Sequence, residues 1–304
     1  MTRLFVHGFG VCAVGDGEPF AVGLTELPDV PIKEYASPAV RRRYGRVAKL
    51  MYVAAMRALH DAGVADPSDV AVIAGTAMGD LRSSLELVSQ IHATRGARLS
   101  PALVPNSVHN ASAGHLTIGL KNRAPSVTVS QGWLSTEAAI AAARDVLYLS
   151  GLDHALVVVG DEVDATWLDR LREKGAAALA AQLEAEGFQE GAVALALGRE
   201  PGGRVLGEIA ASVERANDVP ARARAIVERL QAESGARPDI RLRSGAGGER
   251  LGAVVGGEIA GPGQGTSQVG ALLELIRCLR GEGSADALIL GAELDELGWI
   301  HYRR

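Results

Sequence analysis

Apolar positions along the chain fall into short continuous runs that alternate with stripes of helical period. Leu4 to Val14 reads as a strand, with Gly8 and Gly10 marking a bulge or a close backbone approach. Gly15 to Pro38 is loop-rich. Tyr44 to Ala62 places Val47, Leu50, Met51, Ala54, Ala58 and Leu59 on one stripe and stops at Gly63, which predicts a helix. Val70 to Ala77 is a continuous apolar run of the kind buried on both faces. Ser83 to Thr94 predicts an amphipathic helix, His115 to Leu120 a short apolar one, and the alternating Ser126 to Ser130 a strand. Gln131-Gly132-Trp133 reads as a tight turn. Ser135 or Thr136 can cap the helix that follows, and Glu137 lies in its first turn, where a negative charge suits the helix dipole. That helix is mostly alanine from Ala138 to Ala143, so it is expected to be buried. It ends near Gly151, and Ala155 to Gly160 is another buried strand, closing on Asp161-Glu162.

Beyond it, Trp167 to Glu186 predicts an alanine-rich, charged helix at the surface. Phe188 to Leu197 returns to strand, with Arg204 to Glu214 expected as its antiparallel neighbour. Val219 to Ser234 is a helix stopped by Gly235. Ile240 to Leu242 is a short strand before Gly245, Gly247 and Gly248. Thr266 to Arg280 is a helix, and Ala287 to Gly291 a last buried strand. An echo runs through this order. Shifted by 132 positions, Ser135 meets Ser267, Ala139 meets Ala271, Leu147 meets Leu279, Gly151 meets Gly283, and Ala155-Leu156 meets Ala287-Leu288. A repeated unit of helix, glycine stop and buried strand predicts two related α/β halves.

Composition narrows the picture. The chain has 304 residues, 47% of them hydrophobic, with 37 glycines, enough for one large α/β domain or two small ones. Its net charge of −5 argues against a nucleic-acid surface. The one basic cluster, Arg41-Arg42-Arg43 with Arg46 and Lys49, reads as a solvated helix face. Cys12 and Cys278 are too far apart in sequence for a disulfide framework, so a reducing compartment is expected. No apolar run reaches the roughly 18 residues of a membrane span. Met1 to Val14 lacks the core and cleavage site of a signal peptide. A cytoplasmic protein without a membrane span is the expectation. Gly8-Phe9-Gly10 and Gly245-Ala246-Gly247-Gly248 have the wrong spacing and setting for dinucleotide or phosphate loops, so no cofactor and no metal are expected.

Several segments, in order, resemble the β-ketoacyl synthases of the thiolase-like superfamily. Pro105-Asn106 through Ala113-Gly114-His115 resembles that family's Pro-Asn…Ala-Gly-His turn. Ala124-Pro125-Ser126-Val127-Thr128-Val129 resembles its nucleophile strand, and Glu190-Gly191-Ala192 the strand that opens its second half. Ser107-Val108-His109-Asn110-Ala111 looks most like short synthase-like subunits of aryl-polyene pathways and, more loosely, chain-length factors. The resemblance implies a thiolase-like fold: duplicated α/β halves in a layered αβαβα arrangement. Residues 1–165 would form the N-terminal half, 166–186 a helical connector and 187–304 the C-terminal half, in one compact unit.

The family's chemistry needs a cysteine at the N-terminus of the buried helix and two histidines that stabilise the oxyanion. Counting along the matching motifs places these positions at Trp133, Ser244 and Gln264. A tryptophan cannot be acylated, and serine and glutamine do not titrate near neutral pH. The Gly-Phe-Gly-Gly gate is also missing, Gly291-Ala292-Glu293-Leu294 standing in its place. The resemblance therefore implies no catalytic residue and a non-catalytic, chain-length-factor-type subunit. Its partners would be an active ketosynthase subunit, or a second copy, along Ser126 to Ser130, with an acyl carrier protein indirectly involved. His109, Asn110, His115, Gln131 and Ser135 are pocket or interface candidates, His115 with a structural role. Gln131 is similar to the glutamine that chain-length factors carry near this site. Three readings stay open beside this one: Trp133 as an ordinary core residue, an acyltransferase or hydrolase with a relocated site at His109 or Ser135, and a homodimeric non-enzymatic scaffold.

Overall fold

The computed structural model describes residues 2–13, 24–25, 27–162, 164–186, 188–243, 246–259 and 268–304. Ser244 and Gln264, expected at the histidine positions, lie outside them. The chain opens with β1 (Leu4–Ala13) and β2 (Leu24–Thr25), then α1 (Pro38–Arg41) and α2 (Arg46–Asp61). Glycine lets β1 and α2 touch backbone to backbone. A Cβ on Gly8 would lie 2.5 Å from Ala62 N, and one on Gly10 2.1 Å from Ala54 O. The register of β1 against its neighbour shifts between Val6 and Gly8, where a bulge was expected. There follow β3 (Ala71–Gly75), α3 (Leu81–Thr94), α4 (Ala111–Gly119), β4 (Ser126–Val129), α5 (Ser135–Ser150) and β5 (His154–Asp161).

The helical segment expected at Trp167 to Glu186 consists of two helices, α6 (Ala165–Glu173) and α7 (Ala177–Glu186), separated at Gly175 with φ 84°. Next come β6 (Phe188–Gln189), which pairs with β2, then β7 (Gly191–Gly198), β8 (Gly207–Arg215) and α8 (Val219–Ser234). The second half ends with β9 (Asp239–Leu242), α9 (Ala246–Val255), β10 (Glu258–Ile259), α10 (Gln268–Arg280), β11 (Asp286–Glu293) and β12 (Glu296–Arg303).

Strand order reveals the duplication. The main sheet runs β10-β9-β11-β12-β8-β1-β7-β5-β3-β4. Each set of five has the same order: third, second, fourth, fifth, first, with the fifth antiparallel to its neighbours. Among the described residues, the two sets of strands pair with each other only where Leu4 to Val6 face Gly207 to Ile209. The fourth strands, β5 and β11, correspond at both ends under the 132-residue shift, 154 to 286 and 161 to 293.

Helix α5 packs on β3, β4 and β5 on one side and on β8 and β12 on the other, with α10 beside it. Helices α2 and α4 cover the outer face of the first sheet, α8 and α9 that of the second. Three buried clusters fill the four interfaces of this αβαβα stack, the central one built around Ala139, Ile140, Ala143 and Leu147 of α5 with Leu275 and Ile276 of α10. These are the layers and the repeat that the resemblance implies.

Three sequence expectations differ from the structure. Strand β7 does not pair with β8; it inserts between β1 and β5, and β8 pairs with β12. The first sheet thus takes its fifth strand from beyond residue 187. Local hydrophobicity marks both strands but cannot choose a partner across sheets. The strand at Ala287 to Gly291 is not the last, because β12 follows it through a hairpin with Leu294 at φ 53°. Gly247 and Gly248, expected in a glycine cluster after the strand at Ile240 to Leu242, lie in the first turn of helix α9.

Candidate functional site

Strand β4 delivers the chain to the buried start of α5. Gly75 makes room for the approach: a Cβ there would stand 3.1 Å from Ser135 O and 3.2 Å from Ala139 Cβ. Gly132, at φ 50°, turns the chain, and Leu134 N donates to Gln131 O at 3.0 Å. The helix begins at Ser135 with Leu134 as its N-cap, so neither Ser135 nor Thr136 is the cap the sequence suggests. The Ser135 side chain is fully buried. Its Oγ accepts the Gln131 N–H at 2.8 Å and lies 2.7 Å from Gly132 O and 3.1 Å from Thr76 O. It ties the turn to the end of β3.

Trp133 is half-buried. Its indole packs with Trp167 and Leu171 against Leu168 of α6 and Ala180 of α7, so the two connector helices rest on it. Both of its main-chain polar groups are held from the second half. Trp133 N donates to Glu293 Oε2 at 2.9 Å, and Arg243 Nη1 donates to Trp133 O. Arg243, 5% exposed, also pairs at 3.2 Å with the fully buried Glu137 carboxylate in the first turn of α5. Gln131 Nε2 donates to Glu296 Oε2 at 2.8 Å. Residues 131–133 are thus held by the ends of β9, β11 and β12.

A second set of acids lies at the end of β5. Asp161 is fully buried and accepts from Thr76 Oγ1 at 2.6 Å, Ala77 N at 3.1 Å and Met78 N at 3.0 Å. Burial pushes its carboxyl up to about 6, against the pull of these donors. Glu162 is pushed up to about 8, mainly by burial and next by the charge of Asp80.

The structure brings Gln131, Trp133 and Ser135 together and sets the other candidates apart. His109 and Asn110 are exposed on the segment before α4, Asn110 being that helix's N-cap without a side-chain bond. His115 packs on the Tyr44 ring, centroids 4.6 Å apart, and its Nε2 lies 2.7 Å from Asn106 Oδ1. Burial lowers its pKa. Glu137, Arg243, Glu293 and Glu296 were not among the candidates. Signals pointed to two of the four: Arg243 directly precedes the first expected histidine position, and Glu293 is the counterpart of Asp161 under the internal shift. Among the described residues, no cluster of histidine, cysteine, aspartate and glutamate could hold a metal ion, and no helix is long and apolar enough to cross a membrane.

The sequence matches the family described as β-ketoacyl synthase, N-terminal domain, over residues 25–225. That is more than half of the chain, and the chain belongs to this family. No curated protein matches it in sequence. Among solved structures it is similar to a type II polyketide acyl-carrier protein in complex with its ketosynthase bound to the hexaketide, with a TM-score of 0.77 at 16% identity over 99% of both chains. It is similar also to the ishigamide ketosynthase/chain length factor, TM-score 0.74 at 18% identity over 100% of this chain and 99% of that one. A third is a ketosynthase in complex with its chain length factor from Xenorhabdus doucetiae, TM-score 0.55 at 15% identity over 99% of this chain and 100% of the other. At such identities the likeness establishes the fold.

Proposed function

We propose that this chain is a non-catalytic, chain-length-factor-type subunit. It pairs with an active ketosynthase in polyketide, polyene or fatty-acid-like biosynthesis and shapes the pocket in which a chain grows on its carrier protein. The observation that carries this reading is the turn before α5. Trp133 stands at the position counted for the nucleophile, and its main-chain N–H and carbonyl are both engaged by side chains. An indole there offers no leaving or accepting group for an acyl chain, and it fills space beside α6 and α7 instead. The similar structures that pair a ketosynthase with a chain length factor support the same reading.

Pairing has a candidate surface. Strand β4 is the edge of the sheet, bonded to β3 alone among the described residues. An open edge is a template for another strand. The helices that flank it expose Ile118 (72%), Tyr148 and Leu149 (88%). Such apolar side chains beside an open edge fit a partner subunit better than solvent. A relocated hydrolase or acyltransferase site has less support. The Ser135 hydroxyl is buried against main-chain groups, and His109 lies on an exposed segment.

Co-expression with a ketosynthase encoded beside it, followed by gel filtration, tests the proposal. A one-to-one complex that extends acyl chains only when both are present is the expected result. Elution alone, with no binding by that synthase, sinks it. A stable self-dimer that ignores the synthase favours the scaffold reading.

A further inference from the structure

Glu293 ends β11, and its carboxylate reaches out of the second half into the turn of the first. Oε2 accepts the Trp133 N–H at 2.9 Å. The carboxylate also covers Gly132, where an added Cβ would meet its two oxygens at 2.8 and 2.9 Å. A main-chain N–H in the turn just ahead of a buried helix is the kind of donor that acyl transfer uses, because negative charge develops on the carbonyl oxygen. In this protein that donor already holds an anion.

We propose, building on the reading of this turn as silent, that Glu293 is a built-in plug of the oxyanion position. It is a positioning residue that keeps acyl carbonyls out whatever side chain stands at 133. The loss of activity then has two layers, the missing thiol and the occupied donor, and restoring the first does not restore the second. The plug also carries charge. A thiol placed at 133 would feel the helix N-terminus, which favours the thiolate, and the Glu293 carboxylate, which opposes it. Two other ties of the turn do not involve Glu293: Gln131 is held by Glu296, and the Trp133 carbonyl by Arg243.

The test compares Trp133→Cys, Trp133→Cys/Glu293→Gln and Trp133→Cys/Glu293→Ala, with hexanoyl-N-acetylcysteamine as the probe. The introduced thiolate attacks the probe's carbonyl carbon, the probe's C–S bond breaks, and N-acetylcysteamine leaves as the thiolate and takes up a proton. Intact mass follows the new thioester. Glu293→Ala is expected to speed this transfer about 100-fold, the size of one oxyanion donor's effect. Glu293→Gln, which keeps the shape and removes the charge, is expected to lower the midpoint pH of iodoacetamide alkylation by about one unit. Equal rates and equal midpoints in all three overturn the proposal.

A measurement without the cysteine guards against misfolding. In the otherwise unaltered chain, Glu293→Ala should speed hydrogen exchange of the Trp133 amide about tenfold or more, and unchanged exchange overturns the proposal. Acyl-thioester turnover by the unsubstituted protein would remove the silent reading and the proposal together. An inert protein whose variants all behave alike removes the proposal alone.

Discussion

Strands β5 and β11 hold the same place in their halves, yet the acids that end them act in different directions. Asp161 folds back on its own half. It binds the turn after β3, the second strand of the same sheet, through a hydroxyl and two N–H groups, and it is fully buried. Glu293, its counterpart, crosses to the turn after β4, the third strand of the other half. A duplicated frame places a carboxylate at both points, and the surroundings decide what it does. At one it closes a loop of its own sheet. At the other it joins the halves at the spot where a condensing enzyme would need an open donor.

The strongest break of this comparison removes the cation that works beside Glu293. Arg243 pairs with Glu137, and both are almost wholly buried. Arg243→Met strands the Glu137 carboxylate and frees the Trp133 carbonyl. A loss of about 3–5 kcal/mol is expected, as for other buried pairs broken from one side, measured as the shift in urea unfolding. Adding Glu137→Gln should recover part of that loss. If Arg243→Met unfolds like the parent, Arg243 does not help to hold the two halves together at this turn.

Asp161→Ala tests the other acid. It leaves the Thr76 hydroxyl and the Ala77 and Met78 N–H groups without their acceptor at a fully buried side chain. About 3 kcal/mol of destabilisation is expected, since each abandoned buried donor costs roughly 1–3 kcal/mol and the losses overlap. Glu293→Ala, at a half-buried site where the carboxylate accepts the Trp133 N–H, should cost less, about 1 kcal/mol. The reverse ranking would mean that the crossing carboxylate is the more important of the two for the fold.

Those two acids mark where sequence reading reached and where it stopped. The buried alanine helix, its strand and their repetition were legible, because burial and period are written locally in Ala139, Ile140, Ala143 and Leu147. The tryptophan at the position counted for the nucleophile was placed through the motifs that flank it. Glu293 was visible as part of a missing gate and as the counterpart of Asp161 in the repeat, but nothing near it in sequence shows that β11 ends against residues 132–133. Strand β12 was missed because its polar residues are satisfied across the sheet. His301 is buried with Nε2 2.6 Å from Asp286 Oδ1 and Nδ1 2.8 Å from Arg3 Nη2, so a histidine sits inside a buried run and hides it.

The two acids at the end of β5 also predict a pH slope. Asp161 and Glu162 have folded-state pKa values of about 6 and about 8, raised from 3.8 and 4.5. The folded protein therefore binds these protons more tightly than the unfolded chain. The stability that comes from them is complete below pH 4 and is lost as pH rises through 6 and then 8. A decline of about 1 kcal/mol per pH unit is expected in this window, read from urea midpoints. Glu162→Gln should flatten its upper part. A flat parent profile would show that the burial of Glu162 is relieved in solution.

The smallest effect on stability should fall at the open edge, and there it separates folding from function. Leu149 is 88% exposed and Ile118 72% exposed, so Leu149→Asp and Ile118→Asp remove no packed contact of the isolated chain. Each should change stability by less than about 0.5 kcal/mol. If β4 is the pairing edge, the double variant should still lose its complex with the ketosynthase, because a charge introduced beside a partner's strand must be desolvated without a counter-ion. Thr128→Pro, on the strand itself, should have the same effect on pairing if the outer edge of β4 is bonded, since proline removes a ladder donor. A double variant that binds as the parent does would leave the exposed Leu149 and Ile118 without a part in pairing. If Thr128→Pro also binds as the parent while retaining its fold, the partner must be held elsewhere than on the first sheet's free edge.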